Sequence, residues 1–179
     1  MNNLDICIVK IGEVESDSIE ILQNGLKLHL GWNVKHVGKV EIPSQSYNPF
    51  RRQFNSSLIL DRIKKEFKAK DFAFVLGITE VDLYAHGLNF VFGEADPVEK
   101  VCVISTFRLK PEFYGKKSNK NLFEKRLLTE AVHEIGHLLN LKHCPNPACV
   151  MFFSNSILDT DRKGFLFCNK CKSKLSTLE

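Results

Sequence analysis

Apolar residues dominate positions 4–11, where Leu4, Ile6, Cys7, Ile8, Val9 and Ile11 read as a buried strand. Behind Asp17 or Ser18, either of which can cap a helix, Ile19, Ile21, Leu22 and Leu26 recur at helical spacing. A strand over residues 34–42 follows and ends at Pro43. Residues 43–56 are polar and turn-rich, with Pro43, Asn48 and Pro49, and predict a surface crossing. A helix near 56–68 carries Leu58, Ile59, Ile63 and Phe67 on one side, and residues 72–78 form a continuous apolar run expected to be a central strand.

Strand, helix, strand, helix, strand predicts an α/β protein with a mixed, mostly parallel twisted sheet covered by helices. Two further extended runs, 88–92 and 101–105, flank Gly93-Glu94-Ala95-Asp96-Pro97, which suits a turn between neighbouring strands. Past a Lys-rich stretch from Lys110 to Lys120, residues 121–139 predict a long helix that buries Leu122, Phe123, Leu127, Leu128, Val132, Ile135 and Leu139. A cysteine-rich tail ends the chain. With 179 residues, one domain is expected over 1–179, its sheet-and-helix part in 1–139 and its tail in 140–179.

Composition narrows the function classes. Hydrophobic residues at 44% and charged residues at 26% exclude disordered, collagen-like and low-complexity readings. A net charge of +4 is too mild for a dedicated nucleic-acid binder, and the lysines Lys170, Lys172 and Lys174 are expected to face solvent. The first ten residues lack the pattern of a secretory signal, and no apolar run approaches the roughly 20 residues of a membrane span. A cytoplasmic monomer, with no membrane or nucleic-acid partner, is the expectation. Its six cysteines are then thiols or metal ligands rather than disulfides. Cys7 and Cys102 sit in apolar runs as small buried hydrophobes, whereas Cys144, Cys149, Cys168 and Cys171 cluster in the tail.

The long helix contains His133-Glu134-Ile135-Gly136-His137. Residues four apart emerge on one helical face, so both imidazoles can hold one zinc ion with Glu134 beside it as general base. His143 is the candidate third ligand, six residues on, with Asn140 between. Three neutral imidazoles leave a fourth position for a water whose pKa falls toward about 7, the requirement for peptide hydrolysis. Four thiolates in two close pairs, Cys144 with Cys149 and Cys168 with Cys171, can close a second, structural zinc site.

The string His133-Glu134-x-x-His137-x-x-Asn140-x-x-His143-Cys144-x4-Cys149-x-Met151-x16-Cys168-x-x-Cys171 resembles the archaemetzincins, a metzincin-like family of zinc metallopeptidases. The likeness extends upstream through Asp82-Leu83-Tyr84, the run 88–95 and Ser105-x-x-Arg108-Leu109. It implies a compact metzincin-like fold, a catalytic zinc on His133, His137 and His143, and a structural zinc on the four tail cysteines. It also implies a Met-turn at Met151, the second of two methionines, laying an apolar floor under the imidazoles. Residues 88–94 would be the edge strand beside the cleft, and substrates would be peptides or proteins, including short peptides or N-termini. Asn140 stands where the metzincin pattern has glycine. A left-handed residue is needed there, and asparagine tolerates that conformation better than other side chains do.

A second reading is a catalytically weak zinc-binding module that holds a peptide or protein partner, since ligand spacing speaks for metal more directly than for turnover. Other residues carry weaker signals. His29, His36 and His86 lack ligand spacing, Trp32 belongs to the core, Arg51 and Arg52 are expected to be exposed, and Glu130 is expected to face solvent rather than orient a ligand.

Overall fold

The computed structural model describes residues 4–67 and 73–176. The chain forms β1 (Asp5–Ile11), α1 (Ser16–Leu30), β2 (Asn33–Val40), β3 (Tyr47–Asn48), β4 (Gln53–Asn55), α2 (Ser56–Glu66) and β5 (Phe74–Thr79). It continues with β6 (Leu83–Tyr84), β7 (Gly93–Asp96), β8 (Val101–Ser105), α3 (Lys120–Leu138), α4 (Ile157–Lys163) and α5 (Asn169–Ser176). Five of these strands make the main sheet in the order β2-β1-β5-β8-β7, parallel throughout except for β7, which runs antiparallel to β8. This is the mostly parallel α/β sheet that the strand and helix alternation predicts.

Both faces of the sheet are covered, which is why its strands read as unbroken apolar runs. In β1, Ile6 and Ile8 enter the core shared with α1 and α3, while Cys7, Val9 and Ile11 enter the core shared with α2. In β8 the same period of two sends Cys102 and Ile104 one way and Val101 and Val103 the other. Trp32 is 1% exposed, and Cys7 and Cys102 are fully buried, as expected.

Three sequence expectations need correction. The run 88–92 is not a strand; only Val91 bridges to Leu83, and the strand falls on Gly93–Asp96, the residues that read as a turn. The true turn lies at 97–100, where Asp96 accepts from the backbone amides of Val98 and Glu99 and Lys100 takes a left-handed φ of 58°. The crossing at 43–56 contains a small hairpin, β3 and β4, which joins β6 in a second sheet. The tail contains α4 and α5. The helix expected to reach residue 68 ends at Glu66, and the expected start of β5 at Phe72 lies outside the described residues.

Helix α3 positions the site. Asn119 caps it by accepting from the Leu122 amide at 3.0 Å. From Arg126 to Leu138 almost every residue is buried between the sheet, α1 and α4, so its chemically active face is held rigidly.

Candidate metal centres

His133 and His137 stand one turn apart on α3, and their Nε2 atoms approach to 3.2 Å. Each ring is fixed from behind: His133 Nδ1 lies 2.7 Å from the Val150 carbonyl and His137 Nδ1 2.8 Å from that of Leu141. A carbonyl only accepts, so each of these contacts calls for the proton on Nδ1 and a lone pair on Nε2. Two lone pairs facing each other repel unless a cation lies between them. Nitrogens on a tetrahedral zinc, each about 2.0–2.1 Å from the ion, would be about 3.3 Å apart.

His143 reaches the same point because α3 stops abruptly. Asn140 adopts φ 61°, its amide donates to His137 O at 2.9 Å, and Leu141 N returns to Gly136 O at 3.0 Å. The left-handed exit required at this position is thus made by an asparagine. The His143 ring lies 5.4 Å from His133 and 4.9 Å from His137 between centroids, and Phe153 packs on its outer side. The donor atoms of His133, His137 and His143 all lie within 4.8 Å of one another. Burial holds all three imidazoles below their ordinary pKa, His133 well below, so the rings favour the neutral form that binds metal.

Glu134 points into a pocket of about 210 Å³ lined by 88–93, His133, Phe153 and Lys163. Burial, with the Glu130 charge adding to it, pushes its carboxyl well above the ordinary range. Room for this carboxylate depends on Gly93, since a Cβ there would come 2.7 Å from Glu134 Cγ and 2.7 Å from the Val103 carbonyl. Gly136 plays the same part on the other side of the helix. A Cβ at Gly136 would fall 2.3 Å from the sulfur of Met151, which is fully buried in the turn that presents Val150 O to His133.

Cys144, Cys149, Cys168 and Cys171 form a second cluster whose sulfurs lie within 4.8 Å of one another. Cys144 and Cys168 are 3.9 Å apart and Cys149 and Cys171 3.7 Å, far beyond a disulfide bond of about 2.05 Å. Thiolates on a tetrahedral zinc, about 2.3 Å from the ion, would be about 3.8 Å apart. The Cys171 amide, together with neighbouring thiols, draws Cys168 down to about 7, so it offers a thiolate readily. Both donor sets therefore fit zinc in chemistry and in spacing.

His29, His36 and His86 are exposed and join neither cluster. Glu130 does not face solvent: it is 2% exposed and pairs with Lys163 and Thr160. Its place was readable, because positions 130, 133, 134 and 137 share one helical face. Lys163 carried no signal. Arg51 is exposed as expected, yet it donates to the Leu88 and Asn89 carbonyls at 2.9 and 2.8 Å and braces the pocket wall. Asp82 and Arg108, distant in sequence, form a two-pronged ion pair at 2.6 and 2.8 Å, with the guanidinium over Phe90 of the same wall.

The family model for peptidase family M54 matches residues 68–177. An archaemetzincin of Pyrococcus abyssi is 46% identical over 95% of this chain and 93% of its own length, and one of Methanocaldococcus jannaschii is 47% identical over 95% and 92%. The crystal structure of an archaemetzincin from Archaeoglobus fulgidus, complexed with malonate, superposes with a TM-score of 0.81 at 40% identity and covers 94% of this chain and 99% of that one. The archaemetzincin of Methanopyrus kandleri gives 0.84 at 33% identity over 98% and 94%. The relatives and the solved structures match nearly the whole chain, and the span of the family model includes the histidine-bearing helix and the four tail cysteines. The chain therefore belongs to peptidase family M54, the archaemetzincins, and is a zinc metallopeptidase.

Proposed function

We propose that His133, His137 and His143 hold the catalytic zinc and that Glu134 is the general base of peptide-bond hydrolysis. The observation that carries this reading is the pair of Nε2 atoms 3.2 Å apart, each on a ring whose Nδ1 lies against a backbone carbonyl. A zinc ion held there would lower the pKa of a water toward about 7 and stabilise the negative charge that develops on the carbonyl oxygen. Glu134 receives the proton of the attacking water and delivers it to the departing amine, for which its enclosed position and raised pKa suit it. The pocket beside it, about 210 Å³, is smaller than the roughly 300–1,000 Å³ of sites for drug-sized ligands, and it suits one side chain of a short peptide.

The four cysteines hold a second, structural zinc, supported by sulfur spacings of 3.7 and 3.9 Å. The tail belongs to the same domain as the sheet, since Cys144, Met151 and Phe167 share one hydrophobic cluster with Ile8, Leu26 and Ile135.

Metal analysis of protein purified without added metal should find two zinc ions per chain. Cleavage of a peptide library should be lost in Glu134→Ala while both ions remain. One ion only, or cleavage that survives the substitution, would overturn the corresponding part of the reading.

A further inference from the structure

Glu130 and Lys163 form an ion pair, 3.3 Å long, with side chains 3% and 0% exposed. Removing both charges from water is costly, and such pairs are seldom a net source of stability. Their position offers another account. The Lys163 ammonium donates to the Phe152 carbonyl at 3.2 Å and stands 3.3 Å from His133 Nδ1, the nitrogen that the Val150 carbonyl also contacts at 2.7 Å.

His133 Nδ1 thus lies between two groups with opposite demands. The carbonyl accepts only and calls for a proton on Nδ1; the ammonium donates only and calls for a lone pair there. The neutral ring can satisfy one of them. A proton on Nδ1 leaves the Nε2 lone pair facing His137, whereas a lone pair on Nδ1 moves the proton to Nε2, into the middle of the histidine cluster.

We infer that Glu130 is a positioning residue: its carboxylate, as close to the Lys163 ammonium as His133 Nδ1 is, takes up the ammonium's hydrogen bond and so selects the His133 tautomer that presents Nε2 to the metal. This rests on His133 being a zinc ligand. The geometry favours Glu130 for the task. It sits one turn before His133 on the same helix, so its distance from the ring is set by α3 itself. Its Oε1 also accepts from Thr160 Oγ1 at 2.9 Å, and Thr160 contacts Ser154 Oγ at 3.1 Å, so the carboxylate is anchored from α4 as well. Lys163 in turn ties α4 to the 150–152 turn through Phe152 O.

The test uses the full chain labelled with nitrogen-15 at histidine. Ring-nitrogen shifts of the metal-free protein at one fixed neutral pH report the tautomer, and chelator competition reports zinc affinity at the histidine site. Wild type should show His133 protonated at Nδ1. Glu130→Gln should shift it toward Nε2 protonation and weaken zinc about 10- to 100-fold, the range for losing an orienting partner behind a ligand. Adding Lys163→Met to Glu130→Gln should restore the Nδ1 tautomer and most of the affinity, an outcome that a general loss of packing would not produce.

Should Glu130→Gln fail to fold, Thr160→Val keeps both charges and should move the same two readouts in the same direction by a smaller amount. An unchanged tautomer in whichever variant folds, or a double variant as weak as Glu130→Gln, overturns the inference. A wild-type chain that binds no zinc overturns the ligand reading instead, and the tautomer spectrum still separates the two.

Discussion

The backbone amide of Cys144 donates to the carbonyl of Met151 at 2.8 Å. One hydrogen bond therefore joins the first thiol of the cysteine cluster to the turn whose Val150 carbonyl holds His133. Cys144 is also the residue after His143, so both ends of the histidine site lean on the tail.

Replacing Cys168 and Cys171 together by serine should accordingly remove one zinc ion per chain and also weaken zinc at the histidines. Metal content by mass spectrometry and chelator competition at the remaining site measure the two effects. A variant that keeps both ions with unchanged affinity would show that the tail does not support the site.

Gly93→Ala tests the fit of Glu134 against β7. The new Cβ would press on the Val103 carbonyl, which belongs to the central sheet and cannot yield, so Glu134 must move. Overpacking of this kind costs about 1–3 kcal/mol, and a displacement near 1 Å costs about 100-fold in rate. Thermal unfolding and kcat measure both; stability and rate within twofold of wild type would refute the expectation.

Asn140 separates tolerance from strain. At φ 61°, Asn140→Gly should keep zinc affinity unchanged, while Asn140→Val should lose about 1–2 kcal/mol of stability and bind zinc more weakly. Melting curves with and without chelator distinguish the two variants.

Asp96 supplies a pH-dependent contribution at the end of β7. Burial would raise its carboxyl, but the Glu99 amide and the Lys64 ammonium outweigh it and hold the group below its ordinary value of 3.8. A depressed carboxylate adds stability that is present above the unfolded pKa and disappears as pH falls through the folded one. Asp96→Asn should therefore be less stable than wild type at pH 6, and the difference should close in acid-unfolding curves as pH falls below the ordinary aspartate range.

The histidine spacing on α3, the left-handed exit at Asn140 and the paired cysteines were all legible because helical rotation and ligand chemistry act over short sequence distances. The sheet was legible for a related reason: apolar runs such as 74–79 are buried on both faces. What escaped was set by partners far along the chain. Gly93 through Asp96 has turn composition and becomes a strand only because β8 offers it a free edge. Residues 88–92 look like a strand, but Arg51 takes their Leu88 and Asn89 carbonyls. Lys163 is an ordinary tail lysine in sequence, and only the fold encloses it against Glu130. Glu130 is legible from the helical face it shares with His133 and Glu134, although a lone glutamate on a helix ordinarily points to solvent.

The carbonyls of Val150 and Leu141 that brace the imidazoles belong to the main chain, so no side-chain substitution at those two positions deletes them. The orientation of the rings is thereby written into the path of the polypeptide. An incoming ion meets a donor triangle that already has its shape, and ions preferring a square-planar arrangement, such as copper(II), are disfavoured by geometry where intrinsic affinity would select them.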